Sequence, residues 1–390
     1  MSSYAEHWSL DPQVAYLNHG AFGAPPIATQ QFQQKLREEV ERQPTLFFER
    51  RYGELLDQSR RALAHFVGAD VDGLVPVANA TAGVSTVLHG LQFKAGDELL
   101  VTSHGYNACR NALEALAQRQ GATVVAVDLP FPVAEHDDLV GRILDRVTPR
   151  TRLAMLDHVT SPTALILPLK QLVDELERRD IPVLVDGAHG PGMLDLDLKS
   201  LGASWYTGNA HKWLCAPRAA AFLWAREDRR EGLHPLVISH GANVSREGRA
   251  RLHDEFDWGG TVDTTPFFCI EQVIGYLGQL VDGGWPEIRR RNRQLVLDGR
   301  RLLTDALEMN EPAPESMIGT IASIPLPEVA PEDRRNGDPL HHRLRERDGI
   351  EVPIMSPPIS QSRVLRISAQ LYNDLSQYER LAAALRRELR

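Results

Sequence analysis

The sequence contains few cysteines and no excess of positive charge, and both absences exclude kinds of protein. Only three of its 390 residues are cysteine, at positions 109, 215 and 269. A small, odd number makes a poor disulfide framework and is typical of a reducing compartment, so we expect a cytoplasmic protein. The chain has 43 Lys and Arg against 52 Asp and Glu, a formal charge of −9. This balance argues against binding to nucleic-acid phosphates.

Long apolar runs are absent as well. No uncharged apolar stretch approaches the roughly 18 residues that cross a bilayer, and the first residues, MSSYAEHWSLDPQ, have neither a basic segment nor an apolar core. We therefore expect neither export nor a membrane anchor. The composition, 43% hydrophobic and 24% charged, is that of an ordinary globular protein. A chain of 390 residues is long enough for one large core and one smaller core.

Short apolar runs alternate with segments of helical periodicity from about residue 70 to residue 225. The runs predict strands at 73–77, 99–102, 123–127, 153–156 and 181–185. The segments predict helices at 81–91, 108–120 and 169–178, after two upstream helices around 32–40 and 55–67. This alternation is typical of an α/β fold with a mainly parallel sheet flanked by helices. The strands are continuously apolar, which predicts burial on both faces of the sheet.

The pattern changes after about residue 265. Long charged helices are predicted at 288–307 and 374–389, and short strands at 318–324 and 364–367. Residues 325–338, rich in Pro, Asp, Glu and Arg, are predicted as a loop. These features indicate a smaller α+β domain.

Polar residues directly after the predicted strands are the first candidates for a site, because open α/β sheets bind ligands at the carboxyl ends of their strands. Asp186 and His189 follow the strand at 181–185, and Lys212 comes 26 residues after Asp186. Such a pair suits pyridoxal phosphate, in which the lysine forms a Schiff base and the aspartate keeps the pyridine nitrogen protonated. Taken singly, Asp186 as a turn cap and Lys212 as a surface lysine are the simpler interpretations.

Two further segments add to this pair. Ala80 and Thr81 stand where the first strand meets its helix, and backbone N–H groups with a hydroxyl suit a phosphate there. By itself, Thr81 is equally an ordinary helix cap. His104 and Tyr106 follow the second strand and supply rings that can stack on a cofactor. Burial in the core is the alternative for Tyr106.

Seven motifs in order along the chain carry a family resemblance. They are residues 16–23 (YLNHGAFG), 79–81 (NAT), 157–163 (DHVTSPT), 186–189 (DGAH), 211–212 (HK), 259–263 (GGTVD) and 366–368 (RIS). With them the sequence resembles the class V aminotransferase branch of the fold type I pyridoxal phosphate enzymes, and within it the isopenicillin N epimerase-like group. The resemblance implies a large cofactor domain, residues 21–265, and a small domain made of residues 1–20 and 266–390.

The resemblance also implies roles around the cofactor. Lys212 would be the Schiff-base lysine and the proton carrier at the substrate α-carbon, and Asp186 would pair with the pyridine nitrogen. His189 stands where related desulfurases have a glutamine that touches the ring's phenolic oxygen. Tyr106 corresponds to the ring that stacks on the cofactor, with His104 as the alternative.

Further implied contacts concern the phosphate and the substrate. The phosphate would be held by Ala80, Thr81, Asn209 and His211, and by Thr261 of a second subunit. This last contact implies a homodimer with a shared active site. Arg366 matches the arginine that binds the α-carboxylate of an amino-acid substrate, for which its planar donor geometry is suited. Asn18 and His19 are further expected substrate contacts, and we assign no metal site.

The resemblance leaves the reaction open. We expect an amino-acid epimerase first, a C–S lyase acting by β-elimination as the alternative, and an aminotransferase after it. A persulfide-forming desulfurase is disfavoured, because it needs a loop cysteine before the carboxylate-binding arginine and residues 349–360 contain none. An epimerase needs a second acid or base opposite Lys212. The candidates for it are His19, His158 and Tyr106.

Two other classes of protein fit less well. A nicotinamide-dependent dehydrogenase would share the alternation of strands and helices, but Met193, Leu194 and Asp195 follow Gly190-Pro-Gly192, so the third glycine of the dinucleotide fingerprint is missing. A binding protein that had lost catalysis would be expected to lack the lysine or the carboxylate, and both are present.

Overall fold

The structure is a computed structural model, and it describes residues 2–134, 138–328, 337–355 and 363–389. The strands of the described residues are β1 (Ala15–Tyr16), β2 (Leu74–Val77), β3 (Glu98–Thr102), β4 (Thr123–Val127), β5 (Thr151–Asp157), β6 (Val183–Asp186), β7 (Trp205–Asn209), β8 (Ala221–Ala225), β9 (Ile321–Pro325), β10 (Ile350–Glu351), β11 (Ile354–Met355) and β12 (Val364–Ser368). The α-helices are α1 (His19–Phe22), α2 (Ile27–Arg42), α3 (Pro44–Leu46), α4 (Tyr52–Phe66), α5 (Ala80–Gly90), α6 (Asn107–Gln120), α7 (Leu139–Leu144), α8 (Leu169–Glu177), α9 (Leu198–Leu201), α10 (Arg251–Phe256), α11 (Thr265–Phe268), α12 (Ile270–Leu280), α13 (Gly284–Ala306), α14 (Pro339–Asp348) and α15 (Leu375–Glu388).

A seven-stranded sheet in the order β2-β8-β7-β6-β5-β3-β4 forms the centre of the molecule. From β7 to β4 neighbouring strands are parallel, whereas β8 runs antiparallel to both β7 and β2. The predicted α/β fold with a mainly parallel sheet is confirmed. The first predicted strand, β2, lies at the sheet edge in an antiparallel pair. Strand β8 follows β7 without the helical crossover that a parallel neighbour needs, so β8 runs antiparallel to β7. Strand β2 has the same direction as β7 and therefore pairs antiparallel with β8.

Helices cover both faces of this sheet. On β6, Val183 and Val185 belong to one buried apolar cluster, which also includes residues of α4 and α8. Leu184 between them belongs to a second cluster, with residues of α5 and α6. Because successive side chains of a strand point to opposite faces, this alternation buries the strand on both sides, as predicted.

The remaining elements form smaller sheets around the N- and C-terminal parts of the chain. Strands β11, β12 and β9 pair in that order as an antiparallel sheet, against which α13 packs. Strand β1 pairs in parallel with β10, so that Ala15 lies opposite Ile350. Of the predicted loop at 325–338, residues 329–336 lie outside the described residues. In the described part of the chain, no helix combines the length and apolar character needed to span a membrane.

Candidate active site

The carboxyl ends of three neighbouring strands bring predicted site residues to one edge of the sheet. Strand β5 ends at Asp157, β6 at Asp186 and β7 at Asn209. Asp157 lies directly opposite Asp186 in the parallel pairing of their strands. The turn that follows β7 carries Lys212. This edge is where open α/β sheets bind ligands, and here it holds two carboxylates, an amide and an amine.

The amine of Lys212 is surrounded by groups that disfavour its charge. Nζ lies 3.3 Å from Nε2 of His189. Burial and then the positive charge of Arg366 lower the pKa of Lys212 from 10.5 to about 8, against the opposing effect of Asp186. A substantial fraction of this amine is therefore neutral near pH 8, which makes it available as a nucleophile and a base.

The N-terminal segment holds the backbone of this turn. Nε2 of His19 lies 3.0 Å from the carbonyl oxygen of Lys212, and Nδ1 lies 2.8 Å from the hydroxyl of Tyr372. Burial lowers the pKa of His19 to about 4, so its ring is neutral. Nε2 donates to the carbonyl, and Nδ1 accepts from the tyrosine. Both ring nitrogens of His19 therefore have partners within the protein.

Two neighbours of His19 complete this segment. Asn18 is buried, and its Nδ2 donates to Oε1 of Glu351 over 3.2 Å. Its Oδ1 has no hydrogen-bond partner among the described residues. Gly23 has a positive φ of 66°, and a Cβ there would lie 1.8 Å from the carbonyl oxygen of His211. Only glycine permits this close approach of the segment to the lysine turn.

His189 is buried between Lys212 and Trp213. The indole Nε1 of Trp213 donates to Nδ1 of His189 over 3.2 Å, while Nε2 of the same ring faces Nζ of Lys212. Burial, followed by the charges of Lys212 and Arg366, holds the pKa of His189 well below its usual value. The ring is therefore neutral. Trp213 directly follows the lysine but was not among the site residues predicted from the sequence.

The carboxylate of Asp186 is oriented from two sides. Its Oδ1 accepts from the backbone N–H of Ala188 over 3.0 Å, and its Oδ2 accepts from the thiol of Cys109 over 3.1 Å. Asp157 beside it accepts from the backbone N–H of Tyr106 over 3.3 Å. Burial and the charge of Asp186 raise the pKa of Asp157 well above its usual value.

Cys109 and Asp157 were not among the site residues predicted from the sequence. The position of Asp157 at a strand end was a usable signal, because Asp186 was found by the same criterion. The contact of Cys109 depends on how α6 packs against the sheet, so the sequence offered no local signal for it.

The N-terminus of α5 lies beside the end of β7. The side chain of Asn79 caps the helix by accepting from the N–H of Ala82, and Oδ1 of Asn209 accepts from the N–H of Ala80, each over 2.8 Å. A Cβ on Gly83 would lie 2.1 Å from Oγ1 of Thr207, so α5 approaches β7 closely. This packing brings Ala80 and Thr81 together with Asn209.

His211 lies next to the lysine, and its Nδ1 is 3.1 Å from the carbonyl oxygen of Ala220. Burial lowers the pKa of His211 to about 4. The ring is therefore neutral, and Nδ1 donates to the carbonyl, which leaves Nε2 as an acceptor.

Arg366 is a buried guanidinium on β12. Its Nη1 donates to the carbonyl oxygen and to the hydroxyl of Ser161. Its Nε is buried and has no partner among the described residues. Burial lowers the pKa of Arg366 to about 10. Its charge acts on both Lys212 and His189, so this arginine belongs to the same site.

Two rings were expected as alternatives for stacking on a cofactor. Tyr106 is 44% exposed at the start of α6. His104 is fully buried, and its Nδ1 lies 3.0 Å from the hydroxyl of Thr163. The tyrosine ring is therefore the more accessible of the two.

Two other predicted residues have contacts that, in the described part of the chain, do not involve Lys212. Nδ1 of His158 is 3.1 Å from the hydroxyl of Tyr206, and burial lowers the pKa of His158 to about 4. Thr261 is exposed and lines a cavity of about 660 Å³ with Phe47 and Phe48. The hydrogen bonds that join the site residues in the described part of this chain do not include Thr261.

Known proteins resemble this chain over most of its length. A model of the family described as aminotransferase class-V matches residues 27–381. Isopenicillin N epimerase of Amycolatopsis lactamdurans is 33% identical over 98% of this chain and 96% of its own length. A probable chloroplastic L-cysteine desulfhydrase of Arabidopsis thaliana is 31% identical over 98% of this chain and 84% of its own length.

Solved structures share the fold. The cystine C–S lyase C-DES in complex with its product cysteine persulfide has a TM-score of 0.80 and 22% identity, covering 96% of this chain and 98% of that chain. The apo cysteine desulfurase of Thermococcus onnurineus NA1 has a TM-score of 0.80 and 18% identity, covering 100% and 99% of the two chains. The family resemblance inferred from the motifs is confirmed: the chain belongs to the class V aminotransferase family, and its cofactor is pyridoxal phosphate.

Proposed function

We propose that this enzyme removes the α-proton of an amino acid with Lys212 and then eliminates a sulfur substituent from the β-carbon. The observation that carries the proposal is that the buried guanidinium of Arg366, whose Nε has no partner among the described residues, is near enough for its charge to lower the pKa of the Lys212 amine. The amine supplies the base, and the guanidinium supplies a binding group for a carboxylate.

The residues at the strand ends fit pyridoxal phosphate. Asp186 is a buried carboxylate oriented by two donors, which suits a protonated ring nitrogen. At the N-terminus of α5, Thr81 offers its backbone N–H and its hydroxyl to a phosphate, and Asn209 offers its Nδ2 group, since the N–H groups of Ala80 and Ala82 already donate to Asn209 and Asn79. Nε2 of His189 suits the phenolic oxygen, and Tyr106 suits the ring face. Such a cofactor withdraws electrons from the substrate α-carbon and so acidifies its proton.

Arg366 binds the substrate carboxylate and orients the α-carbon toward Nζ of Lys212. Nζ takes the α-proton, and the same nitrogen then returns a proton to the sulfur that leaves the β-carbon. One base is sufficient for this sequence, because the proton gained in the first step is the one released in the second.

Elimination is preferred to epimerisation because neither predicted histidine suits the role of the second base that epimerisation requires. His19 and His158 have partners within the protein and lowered pKa values, so neither suits proton transfer on the face opposite Lys212. We therefore propose that His19 positions the lysine turn instead of contacting substrate. The relatives described as L-cysteine desulfhydrases support elimination.

Epimerisation is the second candidate, and Tyr106 is the observation that favours it. Its ring is accessible, and its phenol raises the pKa of the Arg366 guanidinium against the larger, opposite effect of burial. A phenol beside the carboxylate-binding group would supply the second acid or base that epimerisation requires. The relatives described as isopenicillin N epimerases support this candidate.

Incubation of the purified enzyme with amino acids in deuterated water separates the reactions. We expect L-cysteine to yield pyruvate, ammonia and sulfide. Loss of optical activity with deuterium at the α-carbon and no pyruvate would identify an epimerase. Consumption of an added 2-oxo acid would identify an aminotransferase and contradict both candidates.

The cofactor assignment of Lys212 has its own test. We expect the purified protein to absorb visible light, and Lys212→Ala to lose that band. The exposed Lys199 serves as the matched control, so Lys199→Ala should keep the band. A variant Lys212→Ala with an unchanged spectrum would contradict the assignment.

The enzyme is further proposed to be a cytoplasmic homodimer of subunits with a large domain (21–265) and a small domain (1–20 and 266–390). Exposed apolar side chains support a subunit interface. Val262 directly follows Thr261, and the others are Phe22, Leu236, Val237 and Ile238. The three cysteines are free and buried, which suits a reducing compartment.

A hybrid experiment tests the shared site. Lys212→Ala and Thr261→Asp should each be inactive alone, because an acidic side chain at Thr261 repels the cofactor phosphate. If Thr261 serves the partner's site, random reassortment of the two variants should restore about a quarter of wild-type activity, since half of the dimers then contain one intact site. No recovery in reassorted dimers would contradict the shared site.

A further inference from the structure

We propose that Trp213 is a positioning residue that fixes the proton of His189 on Nε2, so that this imidazole acts as a neutral donor toward the cofactor. The inference deepens the proposed function and rests on it for the identity of the group that His189 faces. Its basis is a hydrogen-bonding contact of 3.2 Å between the indole Nε1 of Trp213 and Nδ1 of His189.

The direction of this hydrogen bond follows from chemistry. An indole nitrogen carries a hydrogen and no accessible lone pair, so it can donate only. Nδ1 of His189 must therefore accept and carry no proton. In a neutral imidazole the proton then lies on Nε2, which is the nitrogen 3.3 Å from Nζ of Lys212. The indole thus ensures that the nitrogen of His189 that faces the reacting groups is the one that carries the proton.

The surroundings of the pair keep it in this state. His189 and Trp213 are 2% and 1% exposed, so water does not replace the indole as a partner. A second proton on His189 would have to occupy Nδ1 and point at the indole N–H. The positive charge of Arg366, and that of Lys212 when its amine is protonated, oppose that proton as well. Burial and these charges lower the pKa of His189, in agreement with the geometry.

The state of His189 matters because its partner changes during the reaction. A phenolic oxygen that accepts a hydrogen bond from Nε2 retains its negative charge, whereas an imidazolium at the same place would transfer a proton to it. A neutral donor of fixed tautomer therefore keeps the electronic state of the cofactor constant. The same tautomer gives Lys212 a neighbour that can donate to its unprotonated amine.

Trp213→Phe removes the N–H and keeps an aromatic ring. In this variant we expect His189 to gain a proton more easily, with its midpoint raised by about one pH unit, the equivalent of a tenfold change in proton affinity. The visible spectrum of the holoenzyme, titrated downward from neutral pH, should show the step that accompanies protonation of His189 at a higher pH in the variant than in wild type, in which the pKa of His189 is held well below its usual value.

Two further variants make this test specific. His189→Gln keeps a neutral donor that cannot gain a proton, so Trp213→Phe should add no spectral step and little loss of kcat/KM in that background. Trp224→Phe is the matched control for the loss of a buried indole N–H, since Trp224 donates to Asp70 over 3.2 Å elsewhere on the sheet. This control should keep the wild-type titration.

The tautomer itself can be observed without reference to activity. In full-length protein labelled with ¹⁵N-histidine, the signals of His189, assigned by their loss in His189→Gln, should show a protonated Nε2 and an unprotonated Nδ1. A protonated Nδ1 in wild type would overturn the proposal. So would an equal effect of Trp213→Phe with and without His189→Gln, because Trp213 would then act through packing. A colourless wild-type protein would overturn the cofactor role instead and leave the tautomer measurement intact.

Discussion

The imidazole of His19 donates a hydrogen bond from Nε2 to the backbone carbonyl oxygen of Lys212, over 3.0 Å. The two residues are 193 positions apart in the sequence. Tyr372 holds the other nitrogen of the ring, so three distant segments meet at the turn that carries the lysine. Because a side-chain amine is placed by its backbone, this contact links the N-terminal segment to the chemistry of the site.

Replacement of His19 by alanine should destabilise the protein and weaken cofactor binding. The buried carbonyl of Lys212 would lose this donor, and the hydroxyl of Tyr372 would lose its acceptor, which together cost about 2–3 kcal/mol. Urea denaturation measures the free energy of unfolding, and spectroscopic titration measures the cofactor dissociation constant. His7→Ala removes a comparable His–Tyr contact outside the site. That control should lower stability without changing the dissociation constant, and an unchanged dissociation constant in His19→Ala would refute a positioning role.

The rate at which pyridoxal phosphate binds to cofactor-free protein should depend on pH through Lys212. The neutral amine is the reacting form, so the rate should rise with pH and level off above a midpoint of about 8. The positive charge of Arg366 disfavours the protonated amine, and its removal in Arg366→Gln should shift the midpoint upward. Stopped-flow absorbance at several pH values measures the rate. Arg218→Gln, a change of another arginine near the lysine turn, should leave the midpoint in place, and a downward shift in Arg366→Gln would contradict the electrostatic argument.

Replacement of Asp157 by asparagine should stabilise the protein increasingly as pH rises. The pKa of Asp157 is raised in the folded state by burial and by Asp186, so the folded state binds more protons than the unfolded state between the two pKa values. The free energy of unfolding of wild type therefore falls with pH across that window, and the variant lacks this loss. Denaturation midpoints of both proteins between pH 4 and pH 9 measure the difference. The exposed carboxylate of Asp195 gives the control, and Asp195→Asn should change stability by less than about 0.5 kcal/mol at every pH.

Loss of the thiol donor at Cys109 should weaken cofactor binding through Asp186. The thiol donates to Oδ2 of this carboxylate, and burial together with the charge of Asp186 raises the pKa of Cys109, so the donor keeps its proton. Cys109→Ala should raise the cofactor dissociation constant about threefold to tenfold, the range expected for one hydrogen bond of about 1 kcal/mol. Cys109→Ser keeps a donor and should restore most of the affinity. Equal affinities of the alanine and serine variants would show that the thiol acts by packing alone.

Much of the fold was predictable because its signals are local. The apolar runs that become β3 to β6 and the helical periodicity of α5, α6 and α8 depend on residues within a few positions of one another. The end of α6 is an example: the helix is predicted to end at residue 120, and Gly121 directly after it has the positive φ of 74° with which glycine commonly ends a helix. The order of the strands was harder to predict from the sequence, since β2 pairs with β8 across about 145 residues.

The chemical types at the site were also visible in the sequence. Asp186, Asn209 and Lys212 stand at or just after strand ends, and their arrangement along the chain matched a known family. Strand ends meet at one edge of a parallel sheet whatever the details of packing, so this part of the site follows from local structure.

By itself, then, the sequence determined the α/β architecture, the family and the residues that lie at the carboxyl edge of the sheet. The tertiary structure decided which of those residues touch and in what protonation state. It turned His19 and His158 toward protein partners, placed Cys109 beneath Asp186, and set Trp213 against His189. These contacts join residues far apart in the chain or depend on side-chain direction within a turn. They form only when helices and loops pack on the sheet. Burial and neighbouring charges, which exist only in the folded molecule, then set the pKa values of the site and decide which groups donate and which accept.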